Sequence, residues 1–416
     1  MNYILKNISN LVTCKGKPGI PKAGKDQNEI GLIKNGFLVT EKDKIAFAGT
    51  EKDLIKFIKG KTNFREIDCN GKTVMPGFID THTHFVFSGS RSDEYEMRIS
   101  GSTYEEISKA GGGIAKTVSS VRKSSKEELK SIAAKRLEYF LQYGTTTIEG
   151  KSGYGLDTKN ELKMLDVINE LAFENVYGLD IFPTFLGAHS VPNEISKKDY
   201  IDLICYEMIP EIAKGRKAKF IDVFCEKGYF DANETDRIIS EGVKFGLIPK
   251  IHTDQFNSIG GIDIAIKNKA ISVDHIEVIK RNDIKKLSGK GIIATALPGV
   301  SYFLSIPYTP SRELIAENIP VALATDFNPG SCMTQNIQMI MSLASVKMKM
   351  TAEEIINAVT YNASFAVYNN SKTGSLESGK QADILIFDFP SYKDLIYNFA
   401  VNCLITVFKK GIIVYI

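Results

Sequence analysis

Histidine is scarce in this sequence, with five in 416 residues. Cysteine is hardly more frequent: the six at positions 14, 69, 205, 225, 332 and 403 form no CxxC pair and lack the density of a disulfide-stapled secreted domain. They read as reduced thiols, which points to the cytoplasm. No stretch approaches the roughly 20 apolar residues of a membrane span, and MNYILKNISN reaches Asn7 too soon to hold the apolar core of a secretory signal. No membrane association is expected. Neither sign of charge dominates: 52 basic and 49 acidic side chains, spread along the chain, leave +3 and no basic stripe to follow a phosphate backbone. A nucleic-acid partner is therefore not expected. What is present is apolar bulk, 43% of the residues, enough for a sizeable core. At about 150 residues per domain the length calls for two or three domains, or one large barrel with an addition.

Up to about residue 70, short apolar runs (YILK, GFLVT, KIAFAG) alternate with turn-rich segments such as TCKGKPGIPKAGKD. That is the texture of a small antiparallel β unit with no long helix. After Pro76 the texture changes to apolar runs separated by helical patterns. Ser124 and Ser125 each have a glutamate three residues on, the capping-box spacing. Ile132, Ala133, Leu137, Phe140 and Leu141 follow at helical intervals, Gly144 stops the helix, and TTTI reads as a strand. The alternation recurs in GGIDIAIKNKA with ISVDHIE and in SRELIAENI with VALATDF, and Thr351 with Glu354 caps a further helix. Repeated strand and helix units of this total length suit an α/β (β/α)₈ barrel of about 250 residues plus insertions. From Thr373 the β texture returns in TGSLESGKQADILIFD and LITVFKKGIIVYI. The expectation is a small β-sandwich domain formed by both termini, residues 1–73 and 373–416, with the barrel, residues 74–372, inserted between them.

The few histidines are not scattered. His82 and His84 close the apolar run PGFIDTHTHF, and in a strand two residues two apart project to the same side, as two ligands of one metal must. His189, His252 and His275 likewise end the runs FPTFLGAHS, LIPKIHTD and ISVDHIE. Strand ends are where an α/β barrel builds its site from several strands. Each histidine alone reads as a satisfied core residue; the set reads as a site. Asp326 ends VALATDF and is not followed at once by a helix that it could cap. His82, His84, His252 and Asp326 are the candidate ligands of one hard or borderline divalent ion. Such an ion lowers the pKa of its water from 15.7 to around 7.

These features resemble the amidohydrolase superfamily of metal-dependent hydrolases: a strand-borne PGFIDTHTH, later strand-end histidines, a last-strand aspartate, and GSLESGKQADILIFD returning to a β unit. Within it, FSGSRSDEYEMRISGSTYEEI, AGGGI, GTTTIEGKSGYGLD, TFLGAHSVP, DVFCEKGYF and ALATDFNPGS resemble the imidazolonepropionases, which hydrolyse 4-imidazolone-5-propanoate to N-formimidoylglutamate in histidine degradation. The resemblance implies one metal ion, divalent or trivalent, zinc first and iron second, held by His82, His84, His252 and Asp326. It implies substrate contacts from Arg91, Tyr154, His189, Gln255, Asn328, Gly330 and Ser331, and a homodimer acting on a small molecule. Some members carry glutamate where this sequence has Gln255. A glutamine cannot titrate, so proton handling falls to His275, to Asp326 or to both.

Other readings accompany several of these residues. Arg91 could be a surface arginine paired with Asp93 or Glu94; as a site residue its planar fork matches a carboxylate. Tyr154 sits in the glycine-flanked loop SGYG, where an aromatic ring can be presented without crowding. Residues 110 to 114, AGGGI, lack the lysine and serine or threonine of a phosphate loop. Lys151, beside Glu149, is given no metal role and reads as solvated or structural. The rival enzyme is a mononuclear deaminase of an amino-heterocycle, which would share the ligands but need no carboxylate fork. A non-catalytic scaffold on the same fold would be expected to have lost ligands, and all four are present.

Overall fold

The computed structural model describes residues 1–102, 106, 112–174 and 177–415. Ala110 and Gly111 of the AGGGI run, and residues 103–105 and 107 of the STYEEI segment, lie outside them. Two sheets organise the chain. The first has seven strands: β1 (Asn2–Val12), β2 (Leu32–Glu41), β3 (Lys44–Gly49) and β4 (Arg65–Pro76), then β13 (Ile384–Phe387), β14 (Leu404–Lys409) and β15 (Ile412–Tyr415), in the order β15-β14-β13-β4-β1-β2-β3. It is built from both ends of the chain, as expected, but it is not wholly antiparallel. β1 and β4 run parallel, because the hairpin β2–β3 and the helix α1 (Glu51–Ile58) separate them and return the chain in the starting direction. That helix is eight residues long and, with a 3-10 turn at Gly24–Asn28, interrupts a stretch read as strand and turn; it packs Leu54 against Ile4 and Val39.

The second sheet is the barrel. Its strands are β5 (Phe78–Asp80), β6 (Thr145–Lys151), β7 (Asp180–Ala188), β8 (Phe220–Cys225), β9 (Ile248–Thr253), β10 (Ser272–His275), β11 (Ile293–Ala296) and β12 (Val321–Leu323), all parallel and in sequence order. Helices cover the outside and side chains fill the inside, so strands such as TTTIEGK and FIDVFC are buried at every position. The chain passes from the first sheet into the barrel at Gly77. A Cβ there would fall 2.2 Å from Thr146 Oγ1, so the transition needs glycine.

Local signals act as read. Ser125 and Glu128 form a full capping box on the helix Lys126–Gln142, and Thr351 and Glu354 form another on Ala352–Ala358. Gly144, at φ +90°, ends the first of these ahead of β6. The ring closes beyond the regular ends of β5 and β12. Thr83 bridges Phe327 in parallel, the Asp326 N–H donates to the His82 carbonyl at 3.0 Å, and the His84 N–H donates to the Phe327 carbonyl at 2.9 Å. The last seam of the barrel is thus made by the residues on which its site is built.

Candidate active site

All five histidines lie at the C-terminal end of the strands, the catalytic face of α/β barrels. His252 is within β9, His275 closes β10, and His189 follows β7 by one residue. His82 and His84 were expected on a strand, yet β5 ends at Asp80. The pair stands on the extended segment that the Thr83–Phe327 bridge holds in line, and their ring centroids are 5.5 Å apart. Ring nitrogens of His82, His84 and His252 all lie within 4.8 Å of one another. Asp326 Oδ1 is 3.3 Å from His84 Nε2 and 3.5 Å from His82 Nε2. The helix after Asp326 begins only at Ile337, so this carboxylate caps nothing.

Beneath these groups lies a second tier of charge. His82 Nδ1 is 2.7 Å from Asp274 Oδ2, and His252 Nδ1 is 2.8 Å from Asp222 Oδ2. A carboxylate only accepts, so His82 Nδ1 carries the hydrogen and His82 Nε2 keeps its lone pair, while His252 Nδ1 faces its carboxylate at ion-pair distance. Lys151 Nζ reaches Glu149 and Asp222 at 2.8 Å and Asp274 at 3.8 Å. Lys250 Nζ reaches Glu149 at 2.6 Å and Asp274 at 3.7 Å. All five of these charged side chains are fully buried. Lys151 is therefore structural and not solvated, tied to the carboxylates that orient two imidazoles.

Burial keeps three of the imidazoles neutral. Burial, reinforced by Lys151 and the neighbouring rings, holds His82 well below the usual imidazole range, and burial lowers His252 and His189 too. Burial opposes ionisation of Asp326, but His84, with Nε2 3.3 Å from its Oδ1, and the other surrounding imidazoles outweigh it and hold the carboxyl below its ordinary value. Among the described residues, His82 Nε2, His252 Nε2 and Asp326 Oδ1 are buried without a hydrogen-bond partner. Such atoms are costly unless something takes their lone pairs. Neutral imidazoles beside an ionised carboxylate are a donor set that fits one borderline divalent ion.

The groups open into a pocket of about 180 Å³. That is small beside the roughly 300–1,000 Å³ of sites for drug-sized ligands, and it suits a compact heterocycle. His275 lines it, with Nδ1 3.3 Å from Glu277 Oε1. Burial disfavours the imidazolium of His275, yet Glu277, Asp326 and Asp274 more than offset this and raise its pKa. Tyr154 and His189 form one wall. The SGYG loop carrying Tyr154 is fastened by buried Glu161, whose carboxylate accepts from the N–H groups of Gly153, Gly155 and Leu156. Gln255 lines the pocket on a loop held by Glu226, which accepts from the N–H groups of Phe256 and Asn257. Asn328, Gly330 and Ser331 also line it: Asn328 Oδ1 accepts both N–H groups of the turn, and Ser331 Oγ donates to Asp326 Oδ2 at 3.2 Å.

Arg91 combines its two readings. Its Nε donates to Glu94 at 2.8 Å, and the side chain, 12% exposed, lines the pocket. Every residue proposed from the sequence for the site thus borders one pocket or, in the case of His82, underlies it. What sequence reasoning missed is the tier below, Glu149, Asp222, Lys250 and Asp274, together with Arg98 on the pocket wall. The signal for the tier was a charged residue inside a buried apolar run, as in FIDVFC or SVDH. For Arg98 it was the seven-residue spacing from Arg91, two turns along one helix face.

Among the described residues no helix is long and apolar enough to cross a membrane. Models described as "Amidohydrolase family" match residues 65–118 and 238–414. The fold is shared with solved structures at low identity. Guanine deaminase of E. coli superposes with a TM-score of 0.74 at 13% identity, over 99% of both chains. An adenosine deaminase from Xanthomonas campestris, solved with bound zinc, gives 0.73 at 12% identity over 99% of this chain and 92% of that one. Sequence similarity is far stronger elsewhere. The chain is 44% identical to the imidazolonepropionase of Christiangramia forsetii over 414 residues, 99% of each chain. It is 43% identical to that of Shouchella clausii, over 99% of this chain and 92% of the relative, and 40% identical to that of Clostridium tetani, over 100% and 98%. With the imidazole cluster, the strand-end aspartate and a similarity that runs from end to end, the chain belongs to the imidazolonepropionase family of the amidohydrolases.

Proposed function

We propose that this chain adds water across the ring amide of 4-imidazolone-5-propanoate to give N-formimidoyl-L-glutamate, a step of histidine degradation. The observation that carries the reading is a single pocket bordered both by the imidazole and carboxylate cluster and by the Arg91 guanidinium, in a chain 44% identical to an imidazolonepropionase over its whole length. His82, His84, His252 and Asp326 would hold one ion, with zinc the first choice for this donor set and iron the second. Bound there, it supplies Lewis acidity and lowers the pKa of a water to about 7.

The protein's own groups do the rest. A ring C–N bond breaks and a C–O bond forms, so one proton must leave the water and one must reach the departing nitrogen. Asp326, held ionised by its imidazole neighbours, accepts the first and returns it as the second. His275, with its raised pKa, donates toward the carbonyl oxygen as negative charge gathers on it. Gln255 can orient the ring by hydrogen bonding but has no proton to exchange. Arg91, with Nε engaged by Glu94, is left with its outer nitrogens for the propanoate carboxylate. Tyr154 and His189 confine the ring, and the Asn328–Ser331 turn braces Asp326. The six free cysteines support a cytoplasmic home, and a homodimer, testable by sedimentation equilibrium, belongs to the same reading.

The test is the loss of ultraviolet absorbance of 4-imidazolone-5-propanoate on incubation with the purified chain, with metal content measured on the same sample. Turnover that disappears with a chelator and returns with zinc or ferrous ion is expected. A metal-loaded chain that leaves this substrate intact but liberates ammonia from an amino-heterocycle would overturn the proposal in favour of a deaminase.

A further inference from the structure

Arg91 is the residue just before the helix α2 (Ser92–Ile99), and Arg98 lies two turns further along it. Both guanidinium groups line the pocket and both converge on Gly330. A Cβ on Gly330 would come within 2.4 Å of Arg91 Nη1, and Arg98 Nη2 donates to the Gly330 carbonyl at 3.2 Å. Phe303 holds the Arg98 guanidinium from the side, its ring centroid 5.5 Å away. Two cations therefore share one short stretch of wall. Glu94 Oε2 answers Arg91, taking its Nε at 2.8 Å and the Gly113 N–H at 3.0 Å, and acts on Arg98 only from a longer distance. Arg98 Nη1 is buried with no hydrogen-bond partner among those residues. Burial first, and then the like charge of Arg91, lower the Arg98 pKa, and Glu94 only partly offsets them.

We infer that Arg98 is a second cation for the substrate's propanoate carboxylate and, together with Arg91, sets specificity for a ring with an anionic tail. This rests on the function proposed above. Two guanidinium groups at the wall, one with an N–H stripped of water and without a hydrogen-bond partner among the described residues, are complemented by one carboxylate and by nothing on a neutral amino-heterocycle. Arg91 offers the fork; Arg98 neutralises the second oxygen and keeps the carboxylate from rotating off the fork.

The experiment compares wild type, Arg98→Gln and Arg98→Met on two substrates: 4-imidazolone-5-propanoate, and the unsubstituted imidazolone ring without its tail. Arg98→Gln retains a donor for the Gly330 carbonyl while removing the charge, and both variants leave the barrel untouched; melting temperature and metal content are read on each. For the tailed substrate KM should rise roughly ten- to hundredfold in both variants with kcat little changed, as for loss of a charged hydrogen bond made equally in ground and transition states. The tailless ring should be handled alike by all three proteins. An unchanged KM in an active protein overturns the inference and leaves the proposed function standing. Equal losses on both substrates also overturn it, because they assign Arg98 a structural role. A metal-loaded wild type inert on the tailed substrate overturns both.

Discussion

The two ends of the barrel each bury a cluster of lysines and carboxylates, and they are wired differently. At the N-terminal end, Asp180 at the start of β7 meets the terminal sheet. Its Oδ2 takes Lys409 Nζ at 2.9 Å and Gln381 Nε2 at 2.7 Å, and its Oδ1 pairs with Lys410 Nζ at 2.8 Å. Asp383 takes Lys409 at 2.7 Å and the Lys410 N–H at 3.0 Å. No polar side-chain atom of this cluster is left buried and unpartnered. At the C-terminal end Lys151 and Lys250 face Glu149, Asp222 and Asp274, while among the described residues His82 Nε2, His252 Nε2 and Asp326 Oδ1 have no hydrogen-bond partner. A closed cluster fastens one sheet to another; an open one awaits a ligand. The division matches the general split of such barrels into a stabilising face and a catalytic face.

The sharpest way to break this comparison is to remove one of the open lone pairs. His252→Ala should lower turnover of the imidazolone substrate by at least ~1,000-fold, the scale of losing the main electrostatic catalyst, and should lose bound metal in elemental analysis while the chain stays folded by circular dichroism. Retained metal and turnover would show that this end is not open in the sense described. Next in size, Lys151→Met leaves Asp222 and Glu149 short of a cation in a dry site, which costs about 3–5 kcal/mol on breaking a buried pair; urea unfolding of the metal-free protein measures it. Asp274→Asn is milder, since Lys151 keeps two carboxylates. Its effect should fall on the His82 tautomer and reduce metal affinity by about 10- to 100-fold in chelator competition, with a smaller change in unfolding midpoint than Lys151→Met. The reverse order would mean that the tier beneath the imidazoles serves stability first.

How far the sequence discloses these clusters depends on the range of the interactions. Helix caps such as Ser125 with Glu128 are contacts three residues apart, and they are where the sequence places them. The site was legible for a different reason: histidine is so scarce that five strand-end positions stand out even though their rings meet across the barrel. Lysine and aspartate are common, so Lys250, 101 residues from Glu149, and Asp274, 192 residues from His82, give no local sign of pairing. Their pairing depends on the register of neighbouring parallel strands, which no turn between them specifies. The parallel run of β1 beside β4 was hidden likewise, because strand alternation looks the same in either direction and only the intervening crossover decides it.

The closed cluster gives the smallest effect and the clearest sign. Burial would raise the Asp180 pKa, but Lys409, Lys410 and Gln381 outweigh it and bring the carboxyl down from 3.8 to about 2. A folded-state pKa below the unfolded one means that the unfolded chain binds the proton more readily. The contribution is therefore whole above about pH 5 and fades as the pH falls toward the folded value. A shift of this size is worth about 2 kcal/mol at neutral pH. Asp180→Asn should accordingly unfold at lower urea than wild type at pH 7, and the gap should narrow as both are titrated toward pH 3, while turnover and metal content stay unchanged because the change lies at the opposite end of the strands. A gap independent of pH would mean that the lysines are held by Asp383 alone and that Asp180 acts through packing. A loss of turnover would mean that the two ends of the barrel are coupled, and the contrast between a fastening end and a reacting end would fail.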